Sequence, residues 1–589
     1  MYDREHLSQN RIVAEACIAS EVRGMCMQSI AVDPTELYKD AFPTLTASEM
    51  DILQPYAICQ SFEDGDMVFY AGQGDIDLFV VRAGSLEVFN PADDDRHVVT
   101  HKVGQFSGDI DVLTRRPVVV SARARGKTHI MRVNNAKLRE ILQKVPGLSE
   151  KLLTAFLKRR ELLTSQGKLG LRVLGHGRCS HTTMIREFLY KNFVPFTFSD
   201  IQTADGQKLA GVLGLSTEVP ITVDCRPDLP VVECRDGTLL SKPTLREIAQ
   251  GAGIWRHCPN GDVDLLIVGA GPCGITAAVY AASEGLSTFV VDKLGPGGQA
   301  GGSSRIENFM GFPTGLSGAE LATRGVLQML KFGAQLVAPA SVTEIKKSAE
   351  CRGHDVTLDC GSVIKARTVL IATGVEWRKL PAENAERFER EGVYYACTSV
   401  EALLHDKTDV AVVGAGNSAG QAAMFLSECC PERTVHMIIR KNLGPSMSEY
   451  LAERIRNCKT IVLHETAEIT SVNGEQYVES VDVSSEVEGK FNLPVRAVFV
   501  FIGSSCSHSW LPEDIARDEK GFVLTGADAY KSGKWPLEER MPCALETTVP
   551  GILASGDCRS GGTKRVGFAV GDGSHAVSCI HNVLSFNRE

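Results

Sequence analysis

The chain has 589 residues, 43% hydrophobic and 23% charged, a balance that excludes a mainly disordered protein and, at roughly 150 residues per domain, calls for several domains. Lys and Arg number 62 against 72 Asp and Glu, a formal net charge of −10, which argues against a general polyanion binder, so no nucleic-acid partner is expected. The 18 cysteines contain no C-x-x-C pair and no metal-type Cys/His cluster, and Met1-Tyr2-Asp3-Arg4-Glu5 does not lead into an apolar core; free thiols, no metal and a cytoplasmic setting are expected.

Residues 1–38 show no usable period. Over 39–165, Phe42–Thr46 reads as a helix entry, and apolar runs Met67–Tyr70, Leu78–Val81 and Leu86–Phe89 alternate with turns at Gly65-Asp66, Gly72-Gln73-Gly74 and Ala83-Gly84-Ser85. This predicts an antiparallel β-roll. Residues 136–164 predict a helix with Leu138, Ile141, Leu142, Leu152 and Phe156 inward and Lys158-Arg159-Arg160 on a solvated face. After a linker at 165–170 come a strand at 171–174, the segment Cys179-Ser180-His181-Thr182 opening a helix Met184–Asn192, a strand at 194–198, a hairpin from Leu229 to Cys234 with the turn Asp236-Gly237, and a closing helix at 243–250.

The next strand, 263–268, runs into Gly269-Ala270-Gly271-Pro272-Cys273-Gly274 and a helix, and Thr288–Val291 ends in Asp292. That order is a dinucleotide fingerprint, with glycines for the turn, for approach of a pyrophosphate and for helix packing, and an acid for a ribose. Leu265–Ala282 carries no charge, but its glycines and Pro272 divide it into strand and helix, so no membrane span is expected. A second copy, Val410–Val413 then Gly414-Ala415-Gly416-Asn417-Ser418-Ala419-Gly420, is followed by a strand, Val435–Ile439, that ends in Arg440-Lys441. A basic end suits a 2′-phosphate and favours NADPH, with NADH as the other candidate donor. Two units with different ribose ends imply two dinucleotides. His176, His181, His436 and His508 show no acid or nucleophile partner and read as structural or exposed.

These residues carry three resemblances. The spacing of Gly65-Asp66, Phe69, Gly72, Leu78–Val81, Gly84, Leu86 and Val88 is similar to that of a cyclic nucleotide-binding domain. That family uses a Glu for the ribose and an Arg for the phosphate. Here Asp109 and Val118 stand in those places, and a buried phosphate without a cation is costly, so weak or no binding of cyclic nucleotide is expected. The order of elements over 170–258 resembles a thioredoxin or glutaredoxin fold, with Pro230 at the cis-proline position. Of its Cys-x-x-Cys only Cys179 is present, either a single thiol for mixed disulfides or an incidental residue.

Over 260–589, the fingerprints together with Gly297-Gly298-Gln299, Ile306-Glu307-Asn308, Ala372-Thr373-Gly374 and Gly551-Ile552-Leu553-Ala554-Ser555-Gly556-Asp557 resemble a bacterial-type thioredoxin reductase. The resemblance implies FAD held by Gly269, Gly271, Gly274 and Asp292, lined by Gly298, Gln299, Asn308, Ala372 and Gly374. It places Gly556 and Asp557 at the ribityl chain, and Lys564-Arg565-Val566 at the start of a helix facing the flavin C2 carbonyl. It implies NADPH held by Gly414, Gly416, Asn417, Ser418, Arg440 and Lys441, in a domain at 378–497 inserted between FAD segments 262–377 and 498–589, and a homodimer.

One departure bears on mechanism. The family's redox cysteine pair falls, aligned on Gly392-Val393, at Ala396 and Ser399, with Cys397 out of register between them. The expectation is a multidomain chain of β-roll, thioredoxin-like α/β domain and two Rossmann-like α/β domains. It is read as an FAD-dependent NAD(P)H oxidoreductase without the usual pair, passing hydride from NADPH to FAD and on to an unidentified acceptor, with Cys397 and Cys179 as thiol candidates. The alternative is a flavin-containing sensor whose β-roll binds an effector and gates the reductase module.

Overall fold

Short apolar runs between glycines build the first sheet. In the computed structural model the described residues are 39–586, apart from 92–94, 166–169, 178, 218–227, 257–261, 304, 350–352, 390, 396, 398, 406, 445, 476 and 507–508. Helix α1 (Ala47–Leu53) starts where the Thr46 side chain accepts from Glu49 N and Glu49 accepts from Thr46 N, a reciprocal cap. Strands β1 (Ile58–Phe62), β3 (Leu78–Asn90), β4 (Arg96–His101) and β5 (Ser121–Val133) pair antiparallel in the order β1-β5-β3-β4, with β2 (Met67–Phe69) also on β5. The expected turn at Ala83-Gly84-Ser85 is instead a bulge inside β3, where the register slips between Val81 and Ser85. Gly84 has φ +77°, and a Cβ there would stand 2.6 Å from Lys127 O.

The expected helix over 136–164 is two, α3 (Asn135–Lys144) and α4 (Pro146–Ser165), joined at Val145. Pro146 disfavours helical backbone at the preceding residue, and Val145 has left it, at φ −124° and ψ 84°. The supposed solvated face is also corrected: Arg159 is 5% and Arg160 7% exposed. Arg159 Nε donates to Ala41 O at 2.6 Å and Nη1 to Gly108 O at 2.5 Å, with the guanidinium 4.5 Å from the Phe106 ring centroid. Arg160 Nη2 lies 2.9 Å from Asp109 and 2.6 Å from Asp111, on either side of the start of α2 (Ile110–Thr114). Val118 is buried in the core of the first unit.

The second sheet runs in the order β7 (Phe196–Asp200), β6 (Leu171–Gly175), β8 (Val231–Glu233), β9 (Leu239–Ser241), with β6 parallel to β7 and antiparallel to β8. Helix α5 (Ser180–Lys191) begins earlier than the expected Met184, with Cys179 as its N-cap; α6 (Ala204–Val212), unread in the sequence, and α7 (Leu245–Gly251) complete the unit.

The third sheet, β12 (Gln335–Val337), β11 (Thr288–Val291), β10 (Asp262–Val268), β15 (Val363–Ile371), β14 (His354–Leu358), β13 (Val342–Lys347), is parallel from β12 to β15 and takes β26 (Ile552–Ala554) alongside β15. Its parallel strands β10 and β11, rich in Val, Leu and Ile, are buried on both faces, as parallel strands are, partly by α8 (Pro272–Ser283), α9 (Gly318–Phe332) and α14 (Val566–Phe586).

The fourth sheet is all parallel, in the order β17 (Val393–Tyr394), β24 (Ala497–Val500), β18 (Val410–Val413), β19 (Val435–Ile439), β20 (Ile461–Glu465). It carries α10 (Ser399–Leu404), α11 (Asn417–Cys429), α12 (Glu449–Asn457) and a three-stranded meander over 467–493. The chain enters and leaves it through a ribbon, β16 (Glu376–Trp377) against β25 (Ser504–Ser505). The expected division at 497/498 therefore falls inside β24. Helix α13 (Gly526–Lys531) precedes the return to β26. No helix among the described residues is long and apolar enough to cross a membrane.

Removing one partner of a buried ion pair leaves uncompensated charge, at a cost of about 3–5 kcal/mol. Arg160→Met, which strands Asp109 and Asp111 together, is expected to lose about that much in urea unfolding of the first unit at neutral pH, and to recover most of it when both carboxylates are also made amides.

Candidate dinucleotide sites

The first glycine loop divides three jobs among three residues. Gly269 has φ +110°, and a Cβ there would meet Ala372 O at 2.4 Å; at Gly274 it would meet Gly269 O at 1.9 Å. These two glycines let the turn form and α8 close on the strand end. At Gly271 the nearest atom to such a Cβ is Gly298 Cα at 3.8 Å, so the N-terminus of α8 is open to an anion. Gly298, at φ +54°, leans on Gly271, and Gly297 N donates to Ala270 O at 2.8 Å. Gln299 Nε2 donates to Val375 O, tying this loop to the turn that holds Ala372 and Gly374. Asp292, expected at a ribose, also clamps the loop: its carboxylate accepts from the backbone N–H of Ala270 at 2.8 Å, Leu294 at 2.9 Å and Gly295 at 2.7 Å. Asn308 is exposed on the surface.

Across the sheet end, Gly556 N donates to Asp572 at 3.1 Å, and Asp572 pairs with Arg559 at 3.1 Å. Burial pushes the Asp557 carboxyl up to about 6, with Lys564 opposing and Asp572 adding to the rise. Lys564 Nζ stands 3.9 Å from the Phe522 ring centroid, and α14 begins directly after Lys564 and Arg565, at Val566. Cys273, inside the fingerprint, lies 2.9 Å from Ser555 Oγ, and burial pushes its thiol up to about 12.

The second loop repeats the pattern. Gly414 has φ +136° and a Cβ there would meet Phe501 O at 2.5 Å, whereas at Gly416 nothing lies within 4 Å. Asn417 Oδ1 accepts from Ser448 N at 2.8 Å and Ser446 Oγ donates to Ala415 O at 2.8 Å. The segment after Arg440-Lys441 thus folds back over the loop, which the sequence did not reveal. Ser418 lies in the first turn of α11, and Arg440 and Lys441 are exposed at the end of β19. The sequence also missed a polar chain: Glu488 lies 3.1 Å from His464 Nδ1, and His464 Nε2 lies 3.1 Å from His436 Nδ1. Burial and the neighbouring imidazole hold His436 below the usual histidine range. His181 faces Pro243 O at 2.9 Å and His176 is buried; Ala396 and His508 lie outside the described residues.

The two candidate thiols differ. Cys397 packs in the apolar core of the fourth-sheet unit, and burial pushes its thiol well above the ordinary range, with Glu401 adding to the rise. Cys179 is partly exposed at the N-terminus of α5.

The profile of the pyridine nucleotide-disulphide oxidoreductases matches residues 263–573, and that of the cyclic nucleotide-binding domain residues 59–145. The chain belongs to the pyridine nucleotide-disulphide oxidoreductase family. Within it, the chain is 31% identical over 318 residues to the F component of alkyl hydroperoxide reductase in Staphylococcus aureus strain MSSA476, covering 53% of this chain and 57% of that one. It is 30% identical over 316 residues to thioredoxin reductase of Mycoplasma genitalium, covering 53% and 93%. The chain thus spans little more than half the length of the first relative. The crystal structure of T. acidophilum thioredoxin reductase aligns with 26% identity and a TM-score of 0.48 over 55% of this chain and 99% of that one. Pyridine nucleotide-disulphide oxidoreductases of this thioredoxin reductase-like group are NAD(P)H-dependent flavoproteins that use FAD and NADPH. The glycine positions left open at two helix N-termini fit two such dinucleotides.

The contrast among the glycines predicts a split phenotype. Gly271→Val is expected to fold with an unchanged circular dichroism spectrum but to lose FAD affinity at least about tenfold, because the side chain enters only the anion's space. Gly274→Ala is expected to lower thermal stability first, because its Cβ has no room.

The raised Asp557 carboxyl penalises the flavin-free fold as the pH rises from the ordinary aspartate range through about 6. Asp557→Asn is therefore expected to raise the melting temperature of flavin-free protein at about pH 7.5, and the gain to shrink towards about pH 5.

Proposed function

We propose that residues 262–586 form an FAD-dependent NAD(P)H oxidoreductase that delivers its electrons to an acceptor other than an internal cysteine pair. The observation that carries this reading is the pair of glycine loops, each open at the pyrophosphate position, combined with a buried, protonated thiol at Cys397. Bound in the first site, flavin would supply the hydride-accepting and electron-releasing chemistry. The chain's own part is to bind and orient. Gly271 and Gly416 leave helix N–H groups free for pyrophosphates, Gln299 and Asp292 fix the loop beside the first, and the exposed Arg440 and Lys441 offer cations to a 2′-phosphate. Gly298, Asn308, Ala372, Gly374, Gly556 and Arg565 complete the proposed FAD surroundings. The start of α14 at Val566 supports a helix N-terminus directed at the flavin, and Asn417 and Ser418 support the second site.

Residues 39–165 are proposed to be a β-roll that does not take cyclic nucleotide, since Val118 is a core residue and the Asp109 carboxylate is occupied by Arg160. Residues 170–256 are proposed to be a thioredoxin-like unit. Its strand order supports this, as does the meeting of Thr182 and Pro230 at Gly175. Cys179 is its candidate thiol. A homodimer is carried from the resemblance to thioredoxin reductases.

Anaerobic titration with NADPH is expected to bleach the flavin band near one equivalent, and NADH to require more; a band that persists under excess of both would refute the reductase reading. Cys397→Ala is expected to leave that titration unchanged, and alkylation of the native protein to label Cys179 before Cys397. Millimolar cyclic AMP or cyclic GMP is expected to leave the melting temperature unmoved.

A further inference from the structure

The loop after β11 carries Gly295, Gly297 and Gly298 at positive φ, and backbone this free needs outside anchors to stay ordered. Two come from the preceding unit. Lys191 Nζ donates to Gly298 O at 3.3 Å, and Asn192 Nδ2 donates to Leu294 O at 2.8 Å and to Phe188 O at 2.9 Å. Asn192 is 1% exposed and caps α5. Gly295 packs against it so closely that a Cβ would meet Nδ2 at 2.6 Å. The carbonyl of Asn192 in turn accepts from Arg116 Nη1 of the first unit. Arg116 N donates to Asp111 O at 3.2 Å, and Asp111 is one of the two carboxylates gripped by Arg160. A second contact runs alongside: α2 packs on α9, and the start of α9 abuts the same glycine loop, where a Cβ on Gly318 would meet Ala300 O at 1.6 Å.

We propose that Asn192, assisted by Lys191, is a positioning residue for the flavin loop, and that Arg116 couples it to the segment 108–116 of the first unit, so that displacement of that segment is felt at the flavin. This rests on the FAD part of the function proposed above and not on the identity of the acceptor. The Asn192 amide has two N–H groups and both are used, so Asn192→Ala leaves Leu294 O without its donor.

The test is the rate of FAD release from the holoprotein, read as free-flavin fluorescence, with the flavin midpoint potential measured by dye equilibration. The variants are Asn192→Ala, Arg116→Ala, the double variant and Arg116→Lys. Arg246→Ala is the control; it breaks a 2.9 Å pair with Asp359 between the same two units. Asn192→Ala is expected to speed release about fivefold and to shift the potential. Arg116→Ala should act in the same direction, and the double variant should be no faster than Asn192→Ala, because the two lie on one route. Arg116→Lys should behave close to wild type and Arg246→Ala like wild type. If Asn192→Ala does not fold, Asn192→Ser, too short to reach Leu294, carries the same expectation. Unchanged release in Arg116→Ala, or effects that multiply in the double variant, overturns the coupling. Wild-type protein that neither retains flavin on purification nor takes up added FAD would overturn the FAD reading itself and this inference with it, and is told apart by the missing absorbance band.

Discussion

A pyrophosphate reaches a helix N-terminus only where no side chain stands in the way, and residues 262–586 hold two glycine loops that meet that demand. In the two fingerprint loops, Gly271 and Gly416 are where the backbone faces open space at such a terminus. Each is paired with a glycine in the opposite condition: Gly269 and Gly414 sit so close to the neighbouring chain that any side chain would collide with a carbonyl. The clamps at Asp292, Gln299 and Asn192 then hold a glycine-rich loop that has little rigidity of its own.

The first unit has settled its charges in a different way. In a cyclic nucleotide-binding domain the ligand brings negative charge and a ribose to a cassette of backbone amides, a Glu and an Arg. Here the chain provides its own cation from α4: Arg160 reaches between Asp109 and Asp111, and Arg159 satisfies Gly108 O while lying on Phe106.

The glycine fingerprints, the parallel strands and the basic end of β19 were legible in the sequence because their causes are local; a turn, an open amide and a buried strand each leave a mark within a few residues. What escaped reading depended on partners far along the chain. Gly84 looked like a turn glycine, and only the approach of Lys127 and Thr128 makes it a bulge. Arg159 and Arg160 looked solvated because their acceptors, Ala41, Gly108, Asp109 and Asp111, lie many residues away. His436 seemed alone because His464 is on the next parallel strand, across an intervening helix. Asp292 was legible as an acid at the right place, but not that three backbone amides share its carboxylate.

The placement of β26 and α14 has a consequence for biosynthesis. The strand pairs with β15 and the helix packs on α8, so the sheet that begins at Asp262 is completed only by residues 552–586. The inserted unit, bounded by the β16–β25 ribbon, has its whole sequence out of the ribosome earlier, since domains emerge N-terminal first at about 5–20 residues per second. The guest can therefore fold before its host, and the nascent chain can present the finished proposed pyridine nucleotide site while the proposed flavin site still lacks a wall. A chain that stops short of Ile552 would keep the first and lack the second.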